Sequence, residues 1–321
     1  MKIDWLEGTI LDASPKSVLW DLKTLFSDWQ ELEHGGLGYE YSAIVLESGR
    51  VFWSESRPQN GIHVSLPPSA LENSDQDYLF FARTFKRWVA KFTRLDIAED
   101  DTKGILDLTL VCNSIELGNF VSSAKKKPMQ MIDYESAGRT FYVGRGQSKT
   151  RIRIYDKAAE QNASGKKYFG HWVRVEMQLR DERATNAVNY ILDHADTWQK
   201  EACGWLLSAL DFKIPGTDSN KSRWQTTDWW LHFLDHAAKA RIFMSRKVHT
   251  IESVVNWVGH QVSPSLLVLQ TAYGKEALSD IAQSASARLK PKHLAMIKSA
   301  GVRVPGSKSK QHEVDIKGDL E

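Results

Sequence analysis

The chain has 321 residues, 42% of them hydrophobic and 26% charged, with a formal charge of +2, which suits a large folded domain plus a smaller one and excludes a uniformly basic protein. Two cysteines, Cys112 and Cys203, exclude a disulfide framework, and no Cys/His cluster has the spacing of a zinc site. The N-terminal MKIDWLEGTILD lacks an apolar signal core and no run of about 18 apolar residues occurs, so the expectation is a soluble, cytoplasmic protein with no membrane partner.

In chain order, Lys2–Leu11 reads as a strand and Ser14–Glu33 as a helix, with Ser14 as cap, Pro15 in the first turn and a stripe of Val18, Leu19, Leu22, Leu25, Phe26 and Trp29. GGLGYEYSAIVLESGRVFWSE gives two strands around a turn at Glu47–Arg50; its GGLG lacks the GK[ST] ending of a phosphate loop. GIHVSLP is a short strand, and a helix from about Ser74 to Lys91 follows. FTRLDIAEDD is a strand, Asp107–Ser123 a helix, and Lys125–Lys127 opens a loop. RTFYVG and SKTRIRIYDK form a hairpin around Gly144–Gln147, Lys157–Gln161 is a strand end or a helical turn, and a loop at Asn162–Lys167 leads into the strand WVRVEMQLR.

From Asp181 the pattern turns helical: Glu182–His194, Thr197–Leu210, Thr227–Arg241, Ile251–Val258, Pro264–Tyr273 and Lys275–Ser286. Pro215–Ser222 reads as a linker and Gly306–Glu321 as a disordered tail. Strands early and helices late indicate an α+β fold, a mainly antiparallel sheet with flanking helices followed by a helical C-terminal region. The expected domains are 1–183, a helical region 184–305 with a linker at 215–222, and the tail 306–321. No internal repeat is visible.

Two strands carry the chemistry. In TRIRIYDKAAE, Arg151, Arg153, Tyr155 and Lys157 alternate with Ile152, Ile154 and Asp156; in WVRVEMQLR, Trp172, Arg174, Glu176, Gln178 and Arg180 alternate with Val173, Val175, Met177 and Leu179. A strand repeats every two residues, so each segment turns a charged row to one face. Tyr155 between Arg153 and Lys157 is a candidate nucleophile: cations beside a phenol favour its phenolate and also hold a phosphate. Asp96 and Glu176, with Asp4 as a third candidate, are oxygen donors of the kind Mg²⁺ or Mn²⁺ takes. The bland alternatives are a tyrosine packed at a sheet edge and structural ion pairs, Arg94–Asp96 and Arg174–Glu176. Lys125, Lys126 and Lys127 are a solvated loop or phosphate contacts. Lys213, Lys221, Arg223, Arg241, Arg246 and Lys247 interleave with Trp224, Trp229 and Trp230 as either a DNA-binding surface or a tryptophan-packed bundle.

FTRLDIAEDD, SKTRIRIYDKAAE and WVRVEMQLR, in this order and spacing, resemble the Rep_trans replication initiation factors, over roughly Ile3–Arg183. The resemblance implies a rolling-circle initiator of a plasmid or phage that nicks and rejoins origin DNA through a 5′-phosphotyrosine and leaves a 3′ hydroxyl primer. It implies Tyr155 as nucleophile, Asp96 and Glu176 as ligands of Mg²⁺ or Mn²⁺, and Arg153, Lys157, Arg94, Arg151 and Arg174 on the phosphates, with the catalytic domain at 1–183 and DNA or partner contacts in 184–305. Candidate partners are origin DNA, single-stranded or supercoiled, a host helicase and a second copy of the chain. A conjugative relaxase with the same chemistry and a non-catalytic DNA-binding regulator are the alternatives.

Overall fold

The computed structural model describes residues 1–11, 15–72, 74–88, 90–123, 129–134, 138–146, 148–240, 242 and 251–299. The chain divides into two compact units, Met1–Met244 and Ser245–Glu321. The stretches Lys125–Lys127 and Gly306–Glu321, the cap Ser14, and Arg241, Arg246 and Lys247 lie outside the described residues.

The first unit is built on alternation. β1 (Lys2–Ile10) buries Ile3, Leu6 and Ile10, a change of phase that an irregularity between Ile3 and Trp5 makes possible by taking up Asp4. α1 (Pro15–Leu25) follows, with Val18 and Leu22 buried. Then come β2 (Gln30–Leu32), β3 (Tyr41–Val45), β4 (Gly49–Trp53) and β5 (Ile62–Leu66). The helix expected to reach Glu33 stops at Leu25, and its last residues instead pair with β3 as strand β2. The helix expected over Ser74–Lys91 is shorter and preceded by another: α2 (Pro68–Glu72) and α3 (Tyr78–Arg87), the latter started by Asp77, whose side chain accepts a hydrogen bond from the Phe80 N–H at 2.6 Å.

The second half repeats this plan. β6 (Ala90–Asp101) leads to α4 (Leu108–Glu116), the short β7 (Phe120–Ser122), then β8 (Met129–Tyr134), β9 (Gly138–Val143), β10 (Thr150–Asp156), α5 (Lys157–Ala163) and β11 (Val173–Arg180). The sheet order is β2-β3-β4-β5-β1-β6-β11-β10-β9-β8, ten strands among the described residues, antiparallel at every recorded pairing. Each half therefore gives this sheet a long strand, followed by a helix, and four further strands, the last of which returns beside the first; β7 and α5 are additions to the second half. The halves meet at β1 and β6. Topology reveals a repeat that the amino-acid sequence conceals.

One face of the sheet is the apolar core. α6 (Glu182–Asp193) lays Ala184, Ala187, Val188 and Ile191 on it, and α3 adds Phe81 and Phe85. Burying each such aromatic contributes about 2–3 kcal/mol. α7 (Trp198–Ala209) runs into β12 (Leu210–Phe212), which pairs with β7, and α8 (Asp228–Phe233) places Trp230 against Phe212. The break expected at Arg183 is thus no boundary between compact units, because α6 and α7 are part of the core. Nor is Pro215–Ser222 a linker between units: Lys213 and Thr226 bridge across it, inside the first unit. The second unit carries α9 (Ile251–Trp257), a π-helical turn (Val258–Val262), α10 (Ser263–Tyr273), α11 (Lys275–Ser284) and α12 (Pro291–Ser299). No described helix is long and apolar enough to cross a membrane.

Candidate active site

The other face of the sheet is polar, and register decides who meets on it. Directly opposed residues of antiparallel strands share a face. Tyr155 opposes Arg174, which opposes Asp100; Arg153 opposes Glu176, which opposes Ala98; Arg151 opposes Gln178, which opposes Asp96. Asp96, Tyr155 and Glu176 therefore share a face, as local alternation predicts.

Tyr155 is buried, 2% exposed, with the Arg153 guanidinium 3.6 Å from its ring centroid. Burial, then the nearby Glu176, pushes the phenol well above its usual pKa, and Arg153 offsets this only in part. The expected easy phenolate is thus not favoured in this state, because desolvation outweighs the flanking cations. Lys157 is not on the strand face. β10 ends at Asp156, whose carboxylate accepts the Ala159 N–H at 2.8 Å and starts α5. Even so, α5 returns the Lys157 ammonium to 5.7 Å from the Tyr155 ring, and Gly138 allows this close packing: a Cβ there would lie 2.9 Å from that of Ala159.

Glu160, which the sequence reading missed, joins the two cations: it accepts from Arg153 at 2.8 Å and from Lys157. The Lys157–Glu160 spacing of three was its only sequence signal. Arg153 also faces Glu176 at 3.8 Å. The Nε atoms of Arg153 and of Arg151, the latter stacked 4.0 Å from the Tyr142 ring, are buried with no hydrogen-bond partner among the described residues. Such orphaned donors are costly unless an acceptor arrives.

Asp96 and Glu176 share a hydrogen bond; burial raises Asp96 against the pull of Arg94 and of that bond, while burial and then the Asp96 charge push Glu176 up to about 7. Arg94 holds Asp96 through Nε at 2.9 Å, stacks 3.8 Å over Trp5 and approaches Glu7 at 4.0 Å; Gln178 reaches Asp96 at 3.5 Å. The Arg94–Asp96 ion pair of the bland reading therefore exists. The Arg174–Glu176 pair does not. Arg174, 2% exposed, donates to Asp100 at 2.6 and 2.9 Å and to Asp4 at 3.0 Å. Its buried guanidinium is consumed by these two acids, which corrects its expected phosphate role, and Asp4 is consumed with it. No group of three His, Cys, Asp or Glu side chains gathers as a metal site among the described residues, so Asp4 does not complete a set with Asp96 and Glu176. Trp172, two residues before Arg174, also donates to Asp100, at 2.8 Å.

The basic and tryptophan-rich segment after Lys213 resolves mostly as structure. Lys213 is buried between Asp211, at 2.7 Å, and the Trp224 carbonyl; Lys221 donates to the Gly118 carbonyl; Arg223 pairs with Asp218; Trp230 is fully buried. These groups hold β7, β12 and α8 together.

Comparison with known proteins agrees with this architecture. The model of the Rep_trans replication initiation factors matches residues 90–284. A Bacillus subtilis (strain 168) protein named "Putative DNA relaxase NicK" is 24% identical over 316 residues, covering 92% of this chain and 88% of that one. A solved structure, the rolling circle replication initiator protein from Geobacillus stearothermophilus, shares the fold with a TM-score of 0.62 at 24% identity, over 75% of this chain and 97% of that one.

Proposed function

Because the chain belongs to the Rep_trans family of replication initiation factors, we propose that it is a rolling-circle initiator that nicks and rejoins origin DNA with Tyr155 as nucleophile. The Tyr155 oxygen attacks a backbone phosphorus, the bond from phosphorus to the 3′ oxygen breaks, and the enzyme keeps the 5′ phosphate while a 3′ hydroxyl is freed to prime synthesis. Displacing a strand ahead of that primer calls for a helicase, here a host enzyme. Rejoining is the reverse attack by a 3′ hydroxyl on the phosphotyrosine.

The observation that carries this reading is the pair of unsatisfied Nε donors, on Arg151 and Arg153, on the same sheet face as Tyr155. A phosphate oxygen is the acceptor they lack. Arg153 then holds the phosphate beside the phenol over which it already stacks, and its charge opposes the rise in the Tyr155 pKa. Lys157, tied to Glu160, supplies a second cation. Asp96 and Glu176 fit a divalent cation: two buried carboxyls too close to ionise together become compatible once a cation lies between them, and Mg²⁺ needs few protein ligands when water and phosphate complete its shell. Bound there, Mg²⁺ or Mn²⁺ would polarise the scissile phosphate.

The test is covalent joining to a supercoiled origin plasmid in Mg²⁺ or Mn²⁺, read as a protein–DNA adduct. An adduct in the native protein and none in Tyr155→Phe supports the reading; no adduct under either metal overturns it. The burial of Tyr155 favours a second reading, a DNA-binding regulator in which the ring is structural, and the same assay separates the two. The B. subtilis relative is named a putative DNA relaxase, which favours the relaxase alternative; transfer assays with the same origin distinguish conjugative transfer from replication.

A further inference from the structure

The loop 164–172, sequence SGKKYFGHW, holds a feature that the chemistry above does not use. Phe169 is 89% exposed. A large aromatic so placed has no packing role, yet its surroundings are built rather than loose. Asn162 clamps the neighbouring Tyr168 twice, accepting its N–H at 2.8 Å and donating to its carbonyl at 3.2 Å. The Tyr168 ring lies 4.9 Å from that of Trp172. Trp172 is fixed in turn by Asp100, and its carbonyl accepts the N–H groups of Lys157, at 2.8 Å, and Ala158. The loop is thus fastened to the start of α5, two residues after Tyr155.

Its charge complements its aromatic tip. Lys166 and Lys167 are exposed and form no ion pair among the described residues. Tyr168, Gly170, His171 and Trp172 line a cavity of about 510 Å³ that also reaches Asp156 and Val173, at the adjoining ends of β10 and β11. An aromatic platform flanked by free lysines is the arrangement that holds single-stranded nucleic acid: a base stacks on the ring, and its phosphates meet the cations.

We infer that this loop grips an unpaired nucleotide of single-stranded DNA beside the cleavage site, with Phe169 stacking on the base and Lys166 and Lys167 on adjacent phosphates. The inference rests on the nicking reading for its substrate, but not for its test. Phe169 is a positioning residue, holding the strand so that one phosphate reaches Tyr155. Duplex DNA, with its bases already stacked, offers Phe169 no face.

The experiment measures, with the full-length protein, affinity for a mixed-sequence single-stranded oligonucleotide and for the duplex of the same sequence. Phe169→Ala is expected to weaken single-strand binding about 5- to 150-fold and to leave duplex binding within about twofold; Phe169→Trp is expected to restore the single-strand affinity. The Lys166→Ala/Lys167→Ala pair should lower the slope of log affinity against log salt by about 1.4, two phosphates on a single strand. Unchanged single-strand affinity in Phe169→Ala, or an equal loss on duplex, overturns the inference. The adduct assay keeps the two failures apart. A single-strand-specific Phe169 effect without any adduct sinks the nicking reading alone, and an adduct without a Phe169 effect sinks the loop alone.

Discussion

Arg174 offers the sharpest test of how the site is built, because a charge on the polar face of a DNA enzyme is most readily assigned to phosphate. The structure gives it a different role, since it is 2% exposed and its guanidinium makes three hydrogen bonds to Asp100 and Asp4. Burial works against its charge, yet the two acids hold its pKa above the ordinary arginine value, while Arg174 and Trp172 keep Asp100 below the carboxylate range. Arg174→Met would leave the buried Asp4 without a cation and the half-buried Asp100 with only Lys2, at 3.5 Å. Breaking a buried pair in this way costs about 3–5 kcal/mol, a large share of the roughly 5–15 kcal/mol that keeps a domain folded. At a typical urea dependence, the unfolding midpoint should fall by about 1–2 M. Adding Asp4→Asn and Asp100→Asn should recover more than half of the loss, since removing all the charges together spares the penalty. A loss below about 1 kcal/mol, coupled with a fall of about 0.7 in the salt slope of single-strand binding, would refute the structural role and return Arg174 to the phosphates.

Three other outcomes are expected. Tyr155→Phe should abolish the covalent adduct and keep oligonucleotide affinity within about twofold, since it removes one oxygen and keeps the ring; full nicking activity would move the nucleophile to Tyr142 or Tyr168. Glu176 titrates near 7 when folded and at 4.5 when not, so the folded state holds a proton that the unfolded chain has lost; stability therefore falls as pH rises from about 4.5 to 7, by about 3 kcal/mol in all. Glu176→Gln should flatten that fall, and parallel urea-unfolding curves for the two proteins at pH 5 and 8 would refute the assignment. A chain ending at Met244 should keep its circular dichroism and join DNA. One ending at Gly216 strips Trp230 from Phe212 and should lose about 3–5 kcal/mol or more; a stable shorter fragment would show that α8 is dispensable.

Local pattern carried the part of the site that depends on period alone. Alternation in RIRIYD and VRVEMQLR placed Arg153, Tyr155 and Glu176 on one face, and the register agrees. It could not foresee partners chosen across strands. Arg174 meets Asp100 because β11 and β6 align there, and Asp4 reaches the same guanidinium from an irregularity in β1 that nothing in MKIDWLE announces. Lys157 left the strand because Asp156, a good cap, started a helix one residue earlier than the alternation would end. The strands overlooked, β2, β7, β8 and β12, are short or edge elements whose stability comes from their neighbours and hardly from their own composition. Likewise, Lys213, read as part of either a DNA surface or a tryptophan-packed bundle, is a buried ion-pair partner, since an amphipathic lysine stem can serve either purpose.

The doubled sheet carries a geometric constraint on any nucleic acid that approaches it. At the usual twist of about 20° between neighbouring strands, nine steps from β2 to β8 turn the polar face through roughly half a revolution. At about 4.8 Å per step, they also span some 43 Å along the sheet, the length of about 13 base pairs at 3.4 Å each. A straight duplex laid against β10 and β11 must therefore part from the face before it arrives at β3 and β4. Only a strand that is kinked or melted can follow the surface from Tyr155 round to the row of Arg50, Phe52 and His63, which occupies the matching place in the other half.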